Sequence, residues 1–222
     1  MSPEIIFDIL AFLFAISIHE SAHAWSAWRL GDSTARYLGR VSLNPLRHID
    51  PIGTVLFPLF GAISGWPILG WAKPTPVNLA RLRRPGRDYV LVSVAGPASN
   101  FLVAVCALLA LLALRLFPPD GDAIVTGLPY HGAHGASLLA GVALLLYRFL
   151  LINLLLGIFN LIPIPPLDGS HILAGILPAR WSELYQRAGR FGFLLLMLLL
   201  WSNVPYFLFS PVLGLVHSLM RL

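Results

Sequence analysis

Charge is scarce in this chain. Only 11% of its 222 residues are Asp, Glu, Lys or Arg, whereas a soluble domain carries about a quarter. The hydrophobic share is 57%, more than a soluble core of this size calls for, so the chain reads as a polytopic membrane protein. Cysteine is nearly absent. Cys106 stands alone, which excludes an intrachain disulfide and a cysteine-based zinc cluster. Acidic residues number 10 against 15 basic ones, for a net charge of +5. A basic balance can signal nucleic acid, but these arginines are divided among loops between apolar segments, the pattern of cytoplasmic loops. Nucleic acid is therefore not an expected partner. The N-terminus lacks a basic n-region and a small-residue cleavage site, and its first charges are Glu4 and Asp8, so a removed signal peptide is not expected. No internal repeat, long linker or second soluble domain is apparent.

What is present is a series of long apolar segments. A first span is expected over about residues 5–28, a second over 89–117, a third over 138–164, and one long or two short spans after 191. Residues 29–50 read as a loop holding Arg29, Arg36, Arg40 and Arg47, with a strand or hairpin arm over 37–43. Residues 51–71 are apolar but broken by four glycines and three prolines, and read as a span or a re-entrant segment. Residues 118–136 read as a loop, a short helix is expected over 170–177, and Arg180, Arg187 and Arg190 mark a basic turn. The expected fold is an all-α bundle of about four to six membrane helices, with a re-entrant or β-hairpin segment between the first span and the next.

Inside the first span lies His19-Glu20-Ser21-Ala22-His23. Histidines four residues apart share one helix face, as two ligands of one metal require. Glu20 is rotated by about 100° and can reach a water at the metal without being a ligand. Polar groups at membrane depth are costly and mark function. The alternative is a pair of packed, hydrogen-bonded interhelical histidines. Ala15, Ser17, Ser21, Ala22 and Ala24 let a neighbouring helix approach closely.

Ligands of one metal must share one depth. If residues 51–71 dip in and return, the basic loops 29–50, 73–88 and 178–190 fall on one side and the acidic loop 118–136 on the other. That satisfies the positive-inside rule. It also puts His19, His23 and Asp168 together, toward the cytoplasmic side. Full crossing would separate them.

A catalytic zinc site takes three protein ligands and leaves one position open. The acidic candidates for the third are Asp32, Asp50, Asp88, Asp168 and Glu183. Asp32, Asp88 and Glu183 read as solvated loop charges, and Asp50 as a cap for the segment that Pro51 opens. Asp168 follows an apolar, proline-rich run, and Gly169 would free the backbone to turn it inward. By itself it could equally be a turn or cap aspartate.

The HExxH stretch, taken with Asn160-Leu161-Ile162-Pro163-Ile164-Pro165-Pro166-Leu167-Asp168-Gly169, resembles the site-2 protease family of intramembrane zinc metalloproteases. Gly39–Pro45, Gly70–Asn78 and Gly96-Pro97-Ala98-Ser99-Asn100 are similar to its compact prokaryotic members. The resemblance covers about residues 18–175. It implies a single membrane-embedded metalloprotease domain over 1–222, without PDZ or CBS domains. It implies one zinc held by His19, His23 and Asp168, Glu20 as general base, and Asn160 facing the site to steady the substrate carbonyl or oxyanion. The expected partners are the lipid bilayer and a transmembrane protein or peptide substrate, a membrane-held regulator or leftover signal peptide. Residues 36–43 or 51–78 could hold the unwound substrate by strand addition. The expected location is the cell membrane.

The alternative functions are a small metal-ion or proton transporter, or an inactive homologue that binds membrane partners. A transporter would spread its titratable groups along a path; here they cluster. Asn100, Asn153 and His171 have no assigned role, and Arg148 is expected to meet a backbone carbonyl or a wet cavity. His48, His131, His134 and His217 read as loop or interface residues.

Overall fold

A computed structural model describes residues 3–56, 71–131 and 137–221. All regular elements among them are helical: α1 (Pro3–Arg29), α2 (Thr34–Tyr37), α3 (Pro85–Leu116), α4 (Gly121–His131), α5 (Leu138–Asn160), α6 (Asp168–Ile176), α7 (Ala179–Ala188), α8 (Gly192–Trp201) and α9 (Val204–Arg221). Three are long and apolar enough to cross a membrane: residues 5–29, 85–116 and 138–160. A fourth crossing is possible where the α7–α8 run meets α9 at a 60° bend, so the expected four to six spans meet this count at four.

The bundle is centred on α3, which packs against α5, α1 and α6. Small side chains of α1 are packed inside the bundle: Ala11, Ala15, Ser17, Ala24 and Ala27 are fully buried. Small residues let helix axes come close where lipid offers no hydrophobic drive for association. The apolar core gathers Ala104, Ala107 and Leu111 of α3, Val125 and Leu128 of α4, Ala143, Leu144, Tyr147 and Leu150 of α5, and Val216 and Met220 of α9, with Phe7 of α1 against it. The core thus uses the N-terminal parts of α1 and α5 and the C-terminal part of α3. The opposite ends of these antiparallel helices are left for polar groups. Arg148 of α5 pairs with Asp8 of α1 at 3.3 Å, a partner of the kind an intramembrane charge requires.

Several expectations are corrected. No strand occurs among the described residues. The 37–43 stretch starts as the end of α2 and continues irregularly, because side chains take its carbonyls: Ser42 O accepts from Ser21 Oγ and from His48 Nε2 at 2.7 Å. Residues 118–136 are not all loop. Pro118 and Pro119 precede helix α4, whose Val125 and Leu128 are buried in the core. The basic turn is helix α7, with Arg180 and Arg187 on its surface. Gly169 has no left-handed backbone. Glycine is needed there because a Cβ would fall 2.2 Å from Leu161 O.

Asp50 caps as expected, its Oδ1 accepting from Ile52 N at 3.0 Å and Gly53 N at 2.7 Å at the start of a π-helical turn over Pro51–Leu56. Asp32 is not a solvated charge. It is fully buried and braces two loops, accepting from Thr34 N, Thr34 Oγ1 and Asn78 N. Asp88 is buried too, accepting from Arg84 N at the start of α3. Whether residues 51–71 cross or re-enter falls largely on 57–70, outside the described residues, as does His134.

Candidate metal centre

His19 and His23 project from the second half of α1, one turn apart, with their imidazoles edge to face at 4.6 Å between centroids. Asp168 opens α6, after a turn that Pro163, Pro165 and Pro166 keep from continuing α5. The turn folds Asp168 back against α1. His19 Nε2 and His23 Nε2 lie 3.0 Å apart, and Asp168 Oδ2 lies 3.1 Å from the first and 3.3 Å from the second. Both histidines are buried.

The other ring nitrogens fix what these three atoms present. His23 Nδ1 is 2.7 Å from Val92 O. A carbonyl only accepts, so Nδ1 carries the proton and Nε2 turns toward Asp168. His19 Nδ1 is 2.6 Å from Asn100 Oδ1. The amide orientation follows from its other contacts: Asn100 Nδ2 donates to Asn153 Oδ1 at 2.8 Å and to Ala15 O at 3.3 Å, and Asn153 Nδ2 donates to Phe149 O at 2.8 Å. Asn100 and Asn153 are fully buried. A polar relay thus runs from α5 through α3 to His19. Asp168 Oδ2 itself is buried without a hydrogen-bond partner. Two imidazole nitrogens and a carboxylate oxygen converging at this distance repel unless a positive charge sits between them.

α3 reaches this close because residue 96 has no side chain. A Cβ on Gly96 would lie 2.3 Å from His23 Nε2 and 2.7 Å from His19 Cε1. The three groups border a cavity of about 350 Å³ that Glu20, Thr75, Asn160 and His171 also line.

The match to peptidase family M50 spans residues 7–201. The chain belongs to that family. Its relatives include "Putative zinc metalloprotease YwhC" of Bacillus subtilis, 32% identical over 93% of this chain and 85% of that protein. Proteins named "Putative zinc metalloprotease Rip2" are 33% identical in Mycolicibacterium smegmatis and 32% in Mycobacterium tuberculosis, over 86% of this chain. The chain spans 65% of each Rip2 protein. No solved structure matches significantly. As a family member on membrane-spanning helices, the chain is an integral-membrane metalloprotease.

Of the residues singled out by sequence, His19, His23 and Asp168 come together, and Glu20 and Asn160 line the same cavity. One amide hydrogen of Asn160 goes to Leu156 O at 3.0 Å. His171 lies outside the three-atom cluster, its ring 5.1 Å from that of Tyr89; burial pushes its imidazole below the ordinary value. His48 is a buried loop residue and His217 bonds Tyr147 at 3.0 Å. The sequence does not single out Thr75 or Val92 O as site elements, and it leaves Asn100 and Asn153 between a site role and a helix-linking one. The Gly96-Pro97-Ala98-Ser99-Asn100 stretch, inside α3, is the available signal for Asn100.

Proposed function

We propose that this protein is an intramembrane zinc endopeptidase of the HExxH type that cleaves membrane-spanning segments of other proteins. The observation that carries it is the convergence of His19 Nε2, His23 Nε2 and Asp168 Oδ2 within 3.0–3.3 Å, with Asp168 Oδ2 otherwise unpartnered. The set fits zinc. Tetrahedral bonds of about 2.0–2.2 Å put neighbouring ligand atoms about 3.3–3.6 Å apart, and an N₂O set leaves a fourth position open. The names of the relatives point to the same metal. One zinc per chain would be held by these three residues.

Zinc bound there supplies a Lewis acid for the scissile carbonyl and lowers the pKa of water to about 7. Glu20, beside His19 and lining the cavity, takes the proton of the attacking water and hands it to the leaving amine. Asn160 keeps a second amide hydrogen to offer the developing oxyanion. The substrate helix must unwind first, since its own hydrogen bonds shield each carbonyl. The site lies at the end of the bundle from which the arginine-bearing segments 29–50, 73–88 and 178–190 emerge, so by the positive-inside rule it faces the cytoplasmic side. The substrate class is a membrane-held regulator or a leftover signal peptide.

The test needs metal analysis of the detergent-purified protein beside cleavage of a single-span reporter. Wild type is expected to hold about one zinc per chain. Glu20→Gln should keep the zinc and lose cleavage; His23→Ala and Asp168→Ala should lose both. Cleavage by Glu20→Gln would remove Glu20 from the mechanism, and a metal-free wild type would end the zinc reading.

A further inference from the structure

The segment 71–78, Trp71-Ala72-Lys73-Pro74-Thr75-Pro76-Val77-Asn78, has no regular structure yet is anchored along its length. Trp71 N donates to Gly53 O at 3.2 Å, and Thr54 Oγ1 donates to Trp71 O at 2.8 Å. Lys73 N donates to His48 O at 2.9 Å. Lys73 O accepts from Arg40, whose buried guanidinium also donates to Arg47 O. At the far end Asn78 N donates to Asp32 Oδ2 at 2.6 Å. The middle passes over the cavity, and Thr75 there meets Glu20. Thr75 N donates to Glu20 Oε2 at 2.8 Å. The Thr75 hydroxyl lies 2.7 Å from the same oxygen and 3.0 Å from Glu20 O. The carboxylate is the stronger acceptor, so it draws the single hydroxyl proton.

The flanking prolines explain why this works. Each fixes its own φ, and each pushes the residue before it, Lys73 and Thr75, into extended backbone. Neither has an N–H, so Thr75 carries the one backbone donor between residues 74 and 76. A strap fixed at both ends and stiffened in the middle offers two donors at a set position.

We propose that Thr75 is the positioning residue of the general base: it holds the Glu20 carboxylate at the cavity wall through its amide and hydroxyl. This rests on the role of Glu20 proposed above. A free glutamate would sample several rotamers and spend part of its time away from the water it must deprotonate. Charge-assisted bonds to one oxygen select one rotamer and leave the metal ligands untouched.

Two measurements test it. Thr75→Val keeps shape and amide but loses the hydroxyl. It is expected to lower kcat on the reporter by about 10- to 100-fold, with KM and zinc content unchanged, and Thr75→Ser should restore most of the rate. Hydrogen exchange gives a readout free of turnover. Glu20→Leu should speed exchange of the Thr75 amide at least about tenfold by removing its acceptor, while Lys73 and Asn78, held by His48 and Asp32, stay protected. Unchanged kcat in Thr75→Val, loss of zinc in that variant, or an unmoved Thr75 amide in Glu20→Leu would each overturn the assignment. If Glu20→Gln still cleaves, the fault lies with the role of Glu20 and not with the contact, because exchange reports the contact separately.

Discussion

Asn100 Oδ1 on α3 accepts a hydrogen bond from His19 Nδ1 on α1 at 2.6 Å. The bond turns Nε2 of His19 toward His23 and Asp168, and it couples the packing of two membrane helices to the chemistry of one imidazole. Groups behind metal ligands fix tautomer and ring orientation in this way.

Replacing Asn100 by Leu keeps the branched shape of the side chain and removes the acceptor. The His19 ring is then free to present either nitrogen, and metal affinity is expected to fall by about 10- to 100-fold. Competition with a chromophoric chelator measures this directly. Wild-type affinity in Asn100→Leu would show that the relay does not hold the ring.

Gly96→Ala puts a methyl 2.3 Å from His23 Nε2. Helices are rigid on this scale, so either α3 backs away or the imidazole rotates; overpacking of this kind costs roughly 1–3 kcal/mol. The expected outcome is a protein with wild-type helicity by circular dichroism and at least about tenfold weaker metal binding. Full zinc content in this variant would contradict the close approach.

Asp32 offers a pH test in the loop layer outside the spans. Burial alone would raise its carboxyl; the hydrogen bonds from Thr34 and Asn78 outweigh it and depress it. A carboxyl whose folded value lies below its unfolded one, about 3.9, stabilises the fold above that pH. The contribution is lost as pH falls through the folded value. Asp32→Asn is therefore expected to lower thermal stability at pH 7 by about 1–3 kcal/mol. Near pH 3 it should differ less from wild type. An equal gap at both pH values would assign the effect to packing rather than charge.

The sequence by itself determined much of this protein. Apolar runs long enough for the bilayer located three spans, expected over about 5–28, 89–117 and 138–164 and found over 5–29, 85–116 and 138–160, since length and hydropathy are local properties. The i, i+4 spacing of His19 and His23 needed only helical periodicity. Depth and the proline-rich run before it made Asp168, 145 residues beyond His23, a candidate, and the family resemblance was needed to prefer it over a turn or cap role. Local punctuation misled at residues 118–136 and 178–190, where prolines stand just before helices rather than within loops, and at 37–43, where a strand-like pattern has no partner strand among the described residues.

Only the tertiary structure decided how the site is held. That Val92 O and Asn100 turn the two imidazoles, that Gly96 makes room for them, and that Thr75 grips Glu20 are contacts across 55 to 85 residues of sequence or between separate helices. Period and composition report which face a residue occupies, but not which group meets it there. In a membrane the unpaired alternatives are costly, so these meetings are specific, but their partners are chosen by the packing of α1, α3, α5 and the 71–78 strap, which no single segment encodes.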